Sequence, residues 1–390
     1  MLNTYTVIML GQRGSGKTVY LSSLYKKLST QGDLGFFLEV DSAEKRKKLK
    51  NIYTQLALEE KWPKGTQVQD LSEWTFTCKV QTPELPIYSA CQFIYFDYAG
   101  GLLTDELGED DENIDSELED KINNADALVA LLDGQRICEL IRGQKSGLRW
   151  SINDLPNILT IMQKTDKPIH FVISKWDIVK DYYTLEEIRD RLFQIEEFKN
   201  LVKLRTQQKT PMRLIPVSSV GMGFAELQFD GSMKKTGNLP TPYQVEMPLA
   251  CILPDMIKKT LEELIKKKEQ EKQENISVKP NLSVWERLTV FFGSTVKGVI
   301  ETVTDLLPRK YRFATDILES FIDFIDDNIE KPIEQKFKEA ERREEELKTK
   351  KQESIKAVEN EETALKHVVN CFLAIANQLE KNYPNSTLKL

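Results

Sequence analysis

The chain has 390 residues, enough for two or three domains that each bury a core. Its 61 acidic against 54 basic residues give a formal net charge of −7, so it lacks the broad basic field that attracts nucleic acid or an anionic membrane. Five scattered cysteines without a C-x-x-C point to reduced thiols, and two histidines are too few for a His/Cys metal cage or a histidine-dependent triad. The N-terminal apolar run is too short for a signal peptide, and no apolar stretch reaches the ~20 residues that span a bilayer. A cytoplasmic location is expected.

Residues 7–28, VIMLGQRGSGKTVYLSSLYKKL, read as a strand, a glycine-rich turn and an amphipathic helix. Gly11, Gly14, Ser15 and Gly16 form the turn. Its glycines let backbone N–H groups converge beside the positive end of the following helix, a concavity suited to polyphosphate. Lys17 supplies a point charge for the β- and γ-phosphates, and the Thr18 hydroxyl is placed to ligate Mg2+. Gly11-x4-Gly16-Lys17-Thr18 is the Walker A pattern.

A short strand is expected over 35–40, then a helix over 42–60 that reads as an insertion. Trp62-Pro63-Lys64-Gly65-Thr66 breaks that helix. Residues 73–81 and 91–96 form an antiparallel hairpin around Thr82-Pro83-Glu84-Leu85-Pro86. The second strand ends in Asp97-Tyr98-Ala99-Gly100, where the carboxylate can hold Mg2+ through water and the Gly100 amide can reach a γ-phosphate. Residues 105–120 are strongly acidic and read as a solvated loop or helix face, at the place of a nucleotide-sensing switch.

Residues 127–133 are nearly all apolar, as a strand covered on both faces should be. A largely helical insertion over 134–167 follows. The strand at 169–173, in which His170 reads as a core histidine, ends in Ser174-Lys175-Trp176-Asp177. The Asp177 carboxylate can accept two hydrogen bonds from the N1–H and N2–H2 edge of guanine, an edge adenine lacks, while the Lys175 stem lies over the base. Residues 213–217 deliver Ser218, Ser219 and Val220, whose backbone can meet the guanine O6. A long helix over 245–274 closes the unit.

With these motifs in this order, each ending an apolar strand, residues 1 to about 265 resemble the Ras-like G domain of translation-factor-related P-loop GTPases. The resemblance implies an α/β fold with a mainly parallel six-stranded sheet between helices. It puts GTP or GDP and Mg2+ on Lys17, Thr18 and Asp97, guanine on Lys175 and Asp177, and a metal-binding switch threonine at Thr66. Lys17, Thr66 and Gly100 would carry the hydrolytic role. Trp62-Pro63-x-Gly65-Thr66 resembles a motif of the prokaryotic double-GTPases found beside effector genes in conflict systems. Three residues depart from the pattern: Ser174 replaces an asparagine, Gly101 stands where Ras-like enzymes carry a water-orienting glutamine, and Arg13 occupies a phosphate-loop position usually held by a small residue. Slow intrinsic hydrolysis is the expected consequence.

The organisation expected is a nucleotide domain over 1–270, a polar linker over 271–280 and a helical region over 281–390. Apolar residues from Trp285 to Leu306 and from Ala314 to Ile329 recur at helical spacing, with Pro308 between them. A charged helix runs to about Lys356, and Leu365, Val368, Val369, Phe372, Ile375 and Leu379 form a last apolar face that completes a small bundle. The aromatic face at Trp285, Phe291 and Phe292 lacks the basic flank that anionic lipid favours, since Glu286, Glu301 and Asp305 accompany Arg287 and Lys297. The reading is a GTP-binding switch that hydrolyses slowly and signals to a protein partner through its C-terminal helices, with self-association left open. Its rivals are an oligomerising, dynamin-like GTPase on membranes and a scaffold that binds nucleotide without hydrolysis.

Overall fold

The computed structural model describes residues 2–63, 72–97, 119–228, 231–271, 284–292, 296–317 and 332–390. Seven strands form one sheet: β1 (Asn3–Leu10), β2 (Phe37–Val40), β3 (Ser72–Gln81), β4 (Ile87–Asp97), β5 (Ala127–Asp133), β6 (Ile169–Ser174) and β7 (Met212–Pro216), in the order β2-β3-β4-β1-β5-β6-β7. β4, β1, β5, β6 and β7 run parallel, while β3 pairs antiparallel with β4 and the edge strand β2 pairs antiparallel with β3. The sheet thus has one strand more than the six implied by the resemblance, and the extra edge strand β2 falls where the residue pattern put a short strand.

The uniformly apolar central strands follow from burial on both faces. In β1, Val7 and Met9 join the core on one face and Ile8 and Leu10 the core on the other, the period-2 alternation of a pleated strand. The first face is covered by α1 (Lys17–Leu28) and by a long helix, α8 (Met247–Glu271). The second is covered by the helices of 134–207: α3 (Gly134–Ile141), α4 (Lys145–Arg149), α5 (Leu155–Gln163), α6 (Leu185–Leu192) and α7 (Glu196–Gln207). A helix α2 (Ala43–Leu58), capped by the Ser42 hydroxyl on the Lys45 amide, follows β2.

The C-terminal helices share the first core with the sheet. The helix expected from Trp285 to Leu306 is described as α9 (Val284–Phe292) and α10 (Val296–Leu306), with 293–295 outside the described residues. Most of the expected linker and of the second apolar repeat also lies outside them. Phe291 and Phe292 are buried in the common core. Spacing had put Arg287 on the polar side, but it is buried and makes a bidentate pair with Glu262 of α8, at 2.7 and 2.5 Å. Periodicity marks which side of a helix is covered and does not reveal that a buried carboxylate waits there.

The charged helix α11 (Ile333–Lys356) forms an antiparallel hairpin with α12 (Glu361–Asn382), and an Asn360/Thr363 capping box starts α12. Phe372 of α12 meets Phe36 edge-on at 5.2 Å and Phe93 at 6.0 Å, so this helix lies directly on the sheet. The chain then runs along β7: Leu214 N–H donates to Ser386 O at 2.6 Å and Leu388 N–H to Met212 O at 2.9 Å, covering an edge that would otherwise present unpaired backbone groups. Among the described residues no helix is long and apolar enough to cross a membrane.

His367 provides a test of this docking. Its Nε2–H donates to Gly35 O at 3.0 Å and its Nδ1 accepts from the Ser354 hydroxyl at 2.8 Å, an arrangement for neutral imidazole. Burial pushes its pKa down from 6.5 to about 4. The unfolded chain therefore takes up the proton first, and stability is lost as pH falls from 6.5 towards 4. An NMR titration should give His367 a midpoint near 4, with about 2–3 kcal/mol of unfolding free energy lost over the same window and the loss absent in His367→Gln.

Candidate functional site

The Walker A stretch folds as its residue types require. Gly11 leaves β1 at φ +152°, and a Cβ there would lie 2.8 Å from Ser15 Oγ and 2.9 Å from Leu131 O, so β5 closes against the loop only because the side chain is missing. Gly16 is the left-handed residue before α1, at φ 93° and ψ 17°. No side chain caps α1 and no acidic residue sits in its first turn, so its N-terminus can receive an anion.

Lys17 is buried, and its Nζ donates to Gly11 O at 2.6 Å. Burial lowers its pKa, opposed by Asp97. Asp97, at the end of β4 beside Met9 of β1, is fully buried. Its Oδ2 accepts from the Thr18 hydroxyl at 3.3 Å, while Oδ1 has no hydrogen-bond partner among the described residues. Burial raises the Asp97 pKa, with Lys17, Thr18 and Lys48 opposing. Ser15 Oγ is also buried without a partner among the described residues. Unsatisfied oxygens at this depth cost about 1–3 kcal/mol each unless something binds them. A hard cation suits a carboxylate oxygen next to a hydroxyl, so the donors present fit Mg2+ held by Thr18 and Asp97.

The second set of residues leaves β6 and β7. Ser174 Oγ donates back to Leu132 O of β5 at 3.1 Å, and so it braces the strands without bonding to the phosphate loop. Lys175 is left-handed, at φ 55°, and its Nζ is held 2.7 Å from Asp133 Oδ2. Asp177 Oδ1 accepts from the Ser218 hydroxyl at 2.5 Å, and Ser218 Oγ accepts from Gly221 N–H at 2.8 Å. Burial raises the Asp177 pKa, against the Ser218 hydroxyl, its own backbone and Lys175. Trp176 N–H donates to Val217 O, tying the two loops together.

One cleft of about 380 Å³ joins both sets: Gly14, Ser15, Gly16, Lys17 and Thr18 line one end, and Lys175, Asp177 and Ser219 the other. Thr66 and Gly100, with Gly101 and most of the acidic stretch, lie outside the described residues. Sequence reasoning missed two parts of the site. Asp133, which positions Lys175, ends an apolar strand just as Asp97 does, and that parallel could have marked it. The apolar wall of Val19, Trp62, Val220 and Met233 was not legible as a wall, because Trp62 reads locally as part of a helix stop and motif and Val220 was expected to act only through its backbone. Trp62 Nε1 donates to Met233 O at 2.8 Å, and Lys235 caps the end of α2 through Leu56 O and Glu59 O while lying 5.1 Å from the Trp62 ring.

No protein-family model matches the chain, and none of the curated proteins matches it. Among solved structures it is similar to the signal recognition particle receptor SRb-GTP/SRX complex from Chaetomium thermophilum, at 14% identity and TM-score 0.35, covering 57% of this chain and 94% of that one. It is also similar to nucleolar GTP-binding protein 1 from Plasmodium falciparum, at 12% identity and TM-score 0.35, covering 70% and 97%, and to Sup35 complexed with GDP, at 10% identity and TM-score 0.28, covering 56% and 38%. Strand order and the loop after β1 define the class: an α/β P-loop fold with a mostly parallel sheet and a helical C-terminal region.

Proposed function

We propose that the protein is a GTP-binding switch with slow Mg2+-dependent hydrolysis. The observation that carries this reading is the single cleft with phosphate-loop residues at one end and Asp177 at the other. Lys17 and the loop amides grip the β- and γ-phosphates, and Lys175 lies along the base. Asp177, oriented by Ser218, accepts from the guanine N1–H and N2–H2. An adenine in its place offers no N1–H or N2–H2 edge, so the half-buried carboxylate keeps only its bond from Ser218, which is the source of selectivity. Thr18, Asp97 and the switch residue Thr66 are the side chains that would hold Mg2+, which when bound offsets charge on the phosphates. Gly101 has no side chain to orient water, so unassisted turnover should fall far below about one per second.

The same reading assigns the C-terminal helices to a protein partner. Support comes from the contact between the end of α12 and the base loops: the Tyr383 ring meets Trp176 of the base loop edge-on at 6.0 Å, and its hydroxyl is 3.1 Å from that of Tyr243, whose backbone pairs with Ser218. A change in the base loops is thereby felt at the end of α12. A place in a prokaryotic conflict system is the setting this reading favours. The burial of Phe291 and Phe292 leaves the membrane-remodelling reading with little to stand on.

Replacing Asp177 with alanine tests the base assignment. Titration with guanine and adenine nucleotides should show wild-type preference for guanine and a loss of about tenfold to a hundredfold in guanine affinity in the variant, with adenine affinity little changed. Equal affinities in the wild type would exclude the guanine reading.

A further inference from the structure

We propose that a second pocket, on the outer side of the phosphate loop, binds a small phosphate-bearing anion. This cavity of about 450 Å³ is lined by Arg13, Arg136, Lys145, Arg149, Trp150 and Asp154, with neighbouring polar groups. Among the described residues four cations face one concavity against a single lining carboxylate, in a chain whose overall charge is −7. The surplus is therefore placed rather than inherited from composition. Glu139 pairs with Arg136 at 2.7 Å. No salt bridge among the described residues neutralises Arg13, Lys145 or Arg149. Burial raises the Asp154 pKa, with Arg136 and Arg149 opposing.

The backbone holds these cations in place. Lys145 and Arg149 are four residues apart on α4 and share a face, a like-charge spacing that costs helix stability unless something is gained. Gly147 lies between them, and a Cβ there would collide with the backbone of Glu139 and Leu140, so α3 and α4 are locked in close contact and fix Arg136 relative to the other two. Directly afterwards, Trp150–Asp154 forms a π-helical turn, a widening of the helix that is uncommon and concentrates at functional sites. It sets the buried Trp150 and the half-buried Asp154 against the same cavity.

Guanidinium forks match phosphate oxygens in pairs, and three arginines with one lysine suit a ligand carrying two phosphoryl groups. The volume is within the usual range for small-ligand sites. Arg13 also borders the nucleotide cleft, so an anion here would sit one side chain away from the nucleotide. The inference stands whether or not that cleft prefers guanine.

The test uses inorganic pyrophosphate and calorimetric titration of the Lys17→Ala protein, in which the phosphate loop no longer competes. One equivalent should bind, and Arg149→Ala or Arg136→Ala in the same background should weaken binding about tenfold. Arg149 is exposed, so its replacement leaves the fold intact, which circular dichroism verifies. Pyrophosphate binding only when Lys17 is present, or binding unchanged by both arginine substitutions, overturns the proposal. Failure of the guanine reading leaves these outcomes unaffected, because they are measured without nucleotide.

Discussion

Lys17→Ala is expected to weaken nucleotide binding by about a hundredfold or more, since an ammonium shared between two phosphates makes charge-assisted bonds worth roughly 1.5–3 kcal/mol each. The chain should remain folded. Lys17 is buried and donates to the Gly11 carbonyl, and burial disfavours its charge. Its position is thus of greater use to a polyphosphate than to the fold. The comparison that checks this is nucleotide titration beside chemical denaturation of the same two proteins. Binding should collapse while the unfolding midpoint moves little. Single-turnover phosphate release should vanish with it, whereas an unchanged rate would show that hydrolysis, if present, occurs elsewhere.

Asp255→Ala is expected to destabilise the protein by about 3–5 kcal/mol, the usual loss when one member of a buried ion pair is removed. Asp255 of α8 receives Arg213 Nε and NH2 at 2.7 Å each and lies 2.8 Å from His170 Nε2, all out of reach of water. Arg213 continues to Glu380 at 3.2 Å, and Glu380 meets Arg343 at 3.0 Å, so one chain of charges ties β6, β7 and α8 to α11 and α12. Truncation leaves Arg213 buried with its best partner gone. The double variant Asp255→Leu, Arg213→Met should lose much less, because no uncompensated charge remains. The Arg213 guanidinium, with His170, holds the Asp255 carboxyl far below the usual carboxylate range against the pull of burial. Its contribution is therefore complete above the unfolded carboxylate pKa and disappears only as pH falls through the depressed folded value. Denaturant unfolding of both variants at neutral and acid pH measures each part.

Which of these features could be read from the chain follows from how far apart in sequence their parts lie. The phosphate loop, Asp97, Lys175, Asp177 and Ser218 each end an apolar strand, and the string of residues around each carries its own chemistry. The strand order sets the phosphate loop, Lys175 and Asp177 along one cleft, with Asp97 and Ser218 bonded to Thr18 and Asp177. The buried network was not legible. Asp255 interrupts an apolar helix and Arg213 opens an apolar strand, but each is an isolated oddity until tertiary packing sets them 2.7 Å apart. The C-terminal helices show the same limit. Their apolar periodicity identified covered faces, yet nothing local says that Phe372 rests on Phe36 and Phe93 or that residues near 387 run beside β7. Arg136, Lys145 and Arg149 likewise look like ordinary surface charges in a helical insertion, and only the close contact at Gly147 turns them towards one cavity.

The measurement that bears most directly on the whole account is equilibrium titration of the wild-type protein with fluorescent GDP and ADP in the presence of Mg2+. Guanine nucleotide is expected to bind at least about tenfold more tightly than adenine nucleotide, because only guanine offers two N–H donors to the Asp177 carboxylate. Matching affinities for the two, or binding of neither, would contradict the assignment of this cleft.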